Sequence, residues 1–97
     1  MKPGALLVNV SRGGLVDTEA LQAALRNGQV GGAGLDVFET EPLPSDCPLR
    51  TLDNVVISSH IAAVSTRAIR VLREVTATLA LHAIRGEPLE NVVNGVV

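Results

Sequence analysis

Ninety-seven residues suffice for one small domain with a modest core, and because Phe38 is the single aromatic residue that core must be aliphatic. A net charge of −2 with no basic run argues against nucleic acid and acidic membrane surfaces as partners. A lone cysteine, Cys47, offers neither an internal disulfide nor a metal-ligand spacing, and no apolar run approaches the ~20 residues of a membrane span, so the expectation is a soluble, cytoplasmic protein without a metal.

Ala5–Val10 is a short β-prone run between Pro3-Gly4 and Gly13-Gly14, too short and too interrupted by Asn9 for a signal peptide, and it predicts a first strand. Asp17 then caps a helix over Thr18–Asn27, with Leu21, Ala24 and Leu25 as its apolar stripe. Glu19 suits its first turn, Arg26 its last, and Gly28 its stop. Val30–Val37, apolar and rich in glycine, predicts a second strand where neighbouring backbone comes close. Thr40–Asp53, with three prolines and no periodicity, predicts a loop, and Val55–Ser58 a third strand. Ser65 caps a long helix reaching about Arg85, with Ile69, Leu72, Thr76, Leu79 and Ala83 on one stripe; Gly86 ends it, and a tail with Val92, Val93, Val96 and Val97 follows.

This order predicts an α/β chain with a parallel sheet of about three strands and two helices. Parallel sheets need both faces covered, which two helices do not achieve, so an incomplete domain with an open sheet edge is expected. Ligands of such sheets bind outside the carboxyl ends of the strands, where Arg12, Glu41 and His60 should converge. An anion clamp, a carboxylate and an imidazole suit the reduction of a carbonyl. Each has an ordinary alternative: Arg12 could tie a loop carbonyl, His60 could be structural, and Asp36 could cap its loop. Glu39 and Glu41 are indistinguishable by position. His82, mid-helix, is assigned a structural role.

Several segments in order resemble one family, the D-isomer-specific 2-hydroxyacid dehydrogenases. They are Lys2-Pro3-Gly4-Ala5, Asn9-Val10-Ser11-Arg12-Gly13-Gly14-Leu15-Val16-Asp17 and Gly32-Ala33-Gly34-Leu35-Asp36-Val37-Phe38-Glu39. Glu41-Pro42-Leu43, Asn54-Val55-Val56-Ile57 running into His60-Ile61-Ala62, and Arg85-Gly86 through Val93-Asn94-Gly95 complete the match. Ser59 stands where the family usually has proline, and Ala63 or Val64 where it commonly has glycine or an aromatic residue. The chain carries no Gly-x-Gly-x-x-Gly fingerprint and no acidic residue for the adenosine ribose.

The resemblance implies a partial Rossmann-like fold, with residues 1–86 as the C-terminal half of an NAD(P)-binding domain and 87–97 as a tail returning to a substrate domain. It implies a parent enzyme, commonly a homodimer, that moves a hydride between NAD (NADP not excluded) and a small 2-keto or 2-hydroxy acid. In that role Arg12 orients the substrate, His60 transfers the proton and Glu41, preferred over Glu39 for its Glu-Pro pair, favours the protonated imidazole. Asp36 would accept from the nicotinamide carboxamide, with Val10, His60, Ile61, Ala62 and Ala63 lining its pocket. A dinucleotide-sensing corepressor of the same fold and an inactive remnant are the rival readings. The 97-residue chain alone is expected to lack activity and tight NAD binding, to self-associate or be partly disordered, and to be most mobile in its tail, Glu87–Val97.

Overall fold

A computed structural model describes residues 1–93 and holds three strands, β1 (Ala5–Asn9), β2 (Val30–Leu35) and β3 (Val55–Ile57), with two helices, α1 (Thr18–Arg26) and α2 (Thr66–Arg85). The strands form one parallel sheet in the order β1-β2-β3, with Leu7, Ala33 and Val55 in one row and Asn9, Leu35 and Ile57 in another two residues along. The predicted α/β architecture stands. Strand ends fall short of their apolar runs. Val10 and Val37 extend the apolar runs beyond the last paired residues, and Ser58, whose N–H still donates to Leu35 O at 2.9 Å, lies one residue past the end of β3.

Pleating sends alternate side chains to opposite faces, and the two faces differ sharply. On one, Leu7, Val30, Ala33, Leu35 and Val55 meet Leu21 and Leu25 of α1. On the other, Leu6, Val8 and Val56 are 77%, 72% and 74% exposed, alongside Gly32 and Gly34 of the middle strand. Backbone edges are left at β1 and β3, since each pairs only with β2 among the described residues.

Helix α1 forms the crossover that a parallel β1–β2 pair requires. Asp17 caps it by accepting from Ala20 N–H at 2.9 Å, and Glu19 and Arg26 occupy the ends that the helix dipole favours. No helix spans the β2–β3 crossover. There the predicted loop contains a 3-10 turn, Pro48–Thr51, whose Leu49 is the most deeply buried side chain, at 1% exposure. Burial of Leu21, Leu25 and Leu49 contributes about 1.5–3 kcal/mol each. Four residues of 3-10 geometry give no periodicity, which is why composition alone reads the stretch as loop. Cys47 packs partly buried against the same core.

Contacts divide the chain into two units, Met1–Ala62 and a second from Ala63 onward. The second contains α2, capped by Ser65 through Ala68 N–H at 3.0 Å and closed by Gly86 in the left-handed region at φ 68°. None of the α2 residues is buried, and His82 lies with its Nε2 3.7 Å from Glu87. Val96 and Val97 of the predicted tail fall outside the described residues. Among those described, no helix is long and apolar enough to cross a membrane, and no three His, Cys, Asp or Glu side chains gather as a metal site.

Candidate active site at the carboxyl ends of the strands

Each strand delivers a polar residue at or just past its last paired position. At the end of β1, Asn9 is buried; its Nδ2 donates to Arg12 O at 2.9 Å and its Oδ1 accepts from Ser11 N–H at 3.1 Å. This Asx-type turn shapes the Arg12 loop. Arg12 is exposed, with Nη1 donating to the Ser11 carbonyl at 2.7 Å, and Val10 is exposed beside it.

After β2, Asp36 is buried at 3% exposure and organises the third loop. Its carbonyl accepts from His60 N–H at 2.8 Å, while Oδ1 accepts from the Ser58 hydroxyl and from Ile61 N–H at 2.9 Å. Its Oδ2 accepts from Ala62 N–H at 2.8 Å. Three successive N–H groups thus point at one residue, the first at its carbonyl and the next two at its carboxylate. This arrangement holds His60 at φ 58°, a left-handed conformation uncommon for any residue but glycine. The Ser58 hydroxyl, the two amides and the nearby His60 ring hold the Asp36 carboxyl below the usual carboxylate range, against the opposing effect of burial.

His60 Nδ1 lies 2.8 Å from Glu41 Oε2, and Glu41 Oε1 accepts from Phe38 N–H at 2.9 Å. The imidazole and that amide keep the Glu41 carboxyl below its usual range, although burial and the Asp36 charge oppose them. Glu39 turns elsewhere: its Oε2 accepts from Thr18 N–H at 2.9 Å, at the start of α1. Two glutamates that position could not separate therefore occupy different places. Asp36, Phe38, Glu41, Ser58 and His60 line a cleft of about 450 Å³, and Arg12 is not among its lining residues. Ile61 is exposed, as are Ala62 and Ala63, the latter opening the second unit.

Sequence reasoning did not single out Ser58, Asn9 or Arg50, which also lines the cleft. Asn9 at a strand end was the one legible clue, since asparagine there commonly bonds the backbone two or three residues on.

The Asp36 clamp has a pH signature. A carboxyl lowered on folding stabilises the loop above the ordinary carboxylate range, and that contribution is lost as pH falls through the folded value. The amide resonances of Ile61 and Ala62 should therefore stay constant at neutral pH and move together only below the pH at which a free aspartate titrates. In Asp36→Asn, whose NH2 opposes one of the loop amides, this titration should vanish; its persistence would mean another acid holds the loop.

The family model described as D-isomer specific 2-hydroxyacid dehydrogenase, NAD binding domain, matches residues 1–62. A glyoxylate reductase of Thermofilum pendens is 46% identical over 94 residues, covering 97% of this chain and 28% of that protein. A D-3-phosphoglycerate dehydrogenase of Methanocaldococcus jannaschii is 47% identical over the same length, which is 18% of it. Among solved structures, a D-isomer specific 2-hydroxyacid dehydrogenase of Xanthobacter autotrophicus Py2 in complex with NADPH and MES superposes with a TM-score of 0.83 at 40% identity. That match covers 97% of this chain and 38% of the other. The chain thus spans less than a third of the length of the two curated relatives, and the matched segment holds the Asp36 clamp and the Glu41–His60 pair. On these grounds the chain belongs to the D-isomer-specific 2-hydroxyacid dehydrogenases, and residues 1–62 fall within their NAD-binding domain.

Proposed function

We propose that the full-length protein carrying this chain is an NAD(P)-dependent oxidoreductase that interconverts a 2-keto acid and a D-2-hydroxy acid. The observation that carries this reading is the 2.8 Å pairing of His60 Nδ1 with Glu41 Oε2, in a cleft at the carboxyl ends of the parallel strands. With Nδ1 turned to a carboxylate, the other ring nitrogen is left for a substrate oxygen. With the Glu41 carboxylate as the partner of Nδ1, Nε2 can give a proton to the alkoxide that develops at substrate C2 and recover it in the reverse direction. Arg12, exposed at the end of β1, supplies a planar fork for the substrate carboxylate.

The residues present fit the nicotinamide end of the cofactor. Asp36 Oδ2 accepts one N–H, from Ala62, and keeps a lone pair for a second donor such as a carboxamide NH2. Val10, His60, Ile61, Ala62 and Ala63 are the proposed lining of that end. Bound there, the nicotinamide supplies or takes the hydride. This chain contributes no glycine-rich phosphate turn, so the contacts it offers suit NAD and NADP alike. A homodimer and a cytoplasmic location belong to the same reading through the family resemblance alone.

The direct test is NADH- and NADPH-dependent reduction of glyoxylate, pyruvate and hydroxypyruvate by the full-length protein. Cofactor binding without turnover of any of the three would favour a sensor over an enzyme. Arg12→Lys keeps the point charge but loses the fork, and kcat/KM for the preferred acid should fall about ten- to a hundredfold, the scale of a charged hydrogen bond. An unchanged kcat/KM would remove Arg12 from the substrate site.

Glu41→Gln keeps a hydrogen-bonding group beside the ring but removes its charge. In the reduction direction, activity should begin to fail at lower pH on the alkaline limb, with the acid side of the profile little changed. If Glu39→Gln gave this shift while Glu41→Gln was silent, the pairing in the cleft would not be the operative one.

A further inference from the structure

The carboxylate that faces His60 stands on a poorly anchored loop. Across residues 39–46 the sole backbone–backbone hydrogen bond among the described residues is the one Pro44 O accepts from Cys47 N–H at 3.2 Å. Pro42 and Pro44 have no N–H to give. The Glu41 side chain is itself 36% exposed, so burial does not fix it. Yet its Oε2 must stay within hydrogen-bond distance of the imidazole, and a charge-assisted bond of 2.8 Å weakens steeply if the carboxylate drifts.

Arg50 supplies the missing anchor. Its Nε donates to Pro44 O at 3.0 Å and its Nη2 to Leu43 O at 3.1 Å, so one planar fork grips two consecutive carbonyls just beyond Glu41-Pro42. Arg50 is held firmly in turn. It sits in the 3-10 turn next to Leu49, the most buried side chain, with Arg50 N–H on Cys47 O at 3.1 Å and the Thr51 hydroxyl on Pro48 O at 2.9 Å. Arg50 also lines the cleft that holds Glu41 and His60. A lysine could reach one carbonyl but not both in a plane.

We propose that Arg50 is a positioning residue, which transmits the rigidity of the Leu49 core to the loop bearing Glu41 and so keeps that carboxylate against His60. The inference rests on the reading of Glu41 and His60 as an acid–base pair, but its geometry stands apart from any substrate.

The test uses the full-length protein with Arg50→Leu, Arg50→Lys, Glu41→Gln and the Arg50→Leu/Glu41→Gln double variant. Two readouts are needed: the pH profile of kcat/KM in the reduction direction, and the titration of the Glu41 carboxyl carbon by NMR. Arg50→Leu should shift the alkaline limb the same way as Glu41→Gln, lowering kcat/KM there three- to tenfold, and should return the Glu41 carboxyl toward its ordinary range. Arg50→Lys should do both to a smaller extent. In the Glu41→Gln background Arg50→Leu should move the limb no further, since residues acting through one group are not additive. A less stable Arg50→Leu variant whose Glu41 titration and pH profile match the unmodified protein would make Arg50 a structural brace only and overturn the proposal. So would full additivity with Glu41→Gln. If Arg50→Leu does not fold, Arg50→Lys decides: an upward move of the Glu41 titration supports the proposal and none overturns it. Absence of turnover in the unmodified protein would sink the proposed function, while the carbon titration would still decide the role of Arg50.

Discussion

His60→Ala should lower kcat for reduction of a 2-keto acid by about 10²- to 10⁴-fold, the usual contribution of a positioned general acid, while NADH binding changes little. The loss falls on kcat because the proton is given only as the alkoxide develops. Alanine brings a second effect, since it would have to sit at the φ of 58° that the Asp36 clamp imposes. His60→Asn separates the two. Asparagine tolerates that backbone but has no proton to exchange near neutral pH. Equal losses in both variants would assign the effect to proton transfer. Substantial activity in His60→Asn would show that the loop's shape, and not the imidazole, is what turnover needs.

Gly13→Ala should destabilise the chain by more than about 3 kcal/mol, at or beyond the upper end of ordinary overpacking. A β-carbon at Gly13 would stand 1.9 Å from the carbonyl carbon and oxygen of Phe38 and 2.4 Å from Glu39 N. All three are backbone atoms, so no rotamer change relieves the overlap. The segment that must retreat carries the Phe38 amide that holds Glu41 and the Glu39 carboxylate that caps α1. Chemical denaturation should therefore show the loss of stability, and a folded remainder should lose the Glu41–His60 pairing. Gly14→Ala is the matched control, because nothing lies within 4 Å of a β-carbon there. Equal midpoints for the two variants would mean that residues 38–39 move aside freely.

The fold was legible wherever local chemistry and tertiary structure ask for the same thing. Asp17, Ser65 and Gly86 mark helix ends because the capping geometry is local, and the apolar runs mark strands because a covered parallel sheet demands them. Strand ends were not legible at Val10, Val37 and Ser58. Apolar character continues through Val10 and Val37 past the last paired residues, with Val37 buried without pairing, while polar Ser58 still donates its N–H to Leu35 O. In the site, the residue types were legible, but their partners were not. Asp36 sits more than twenty residues from the amides it accepts, and Glu39 differs from Glu41 only in which way a loop turns. Arg50 gave no signal at all, since two backbone carbonyls have no sequence signature.

The bare side of the sheet has a thermodynamic consequence. Leu6, Val8 and Val56 would each release about 1.5–3 kcal/mol on losing their water, and the small glycines between them leave that surface low enough for close approach. Whatever settles there in the folded form, and not in the unfolded chain, adds RT ln(1 + [L]/Kd) to stability by mass action. A melting temperature for this polypeptide is therefore a property of the solution as much as of the sequence. It carries meaning only when quoted with the concentration of every species able to occupy that surface, other copies of the chain included.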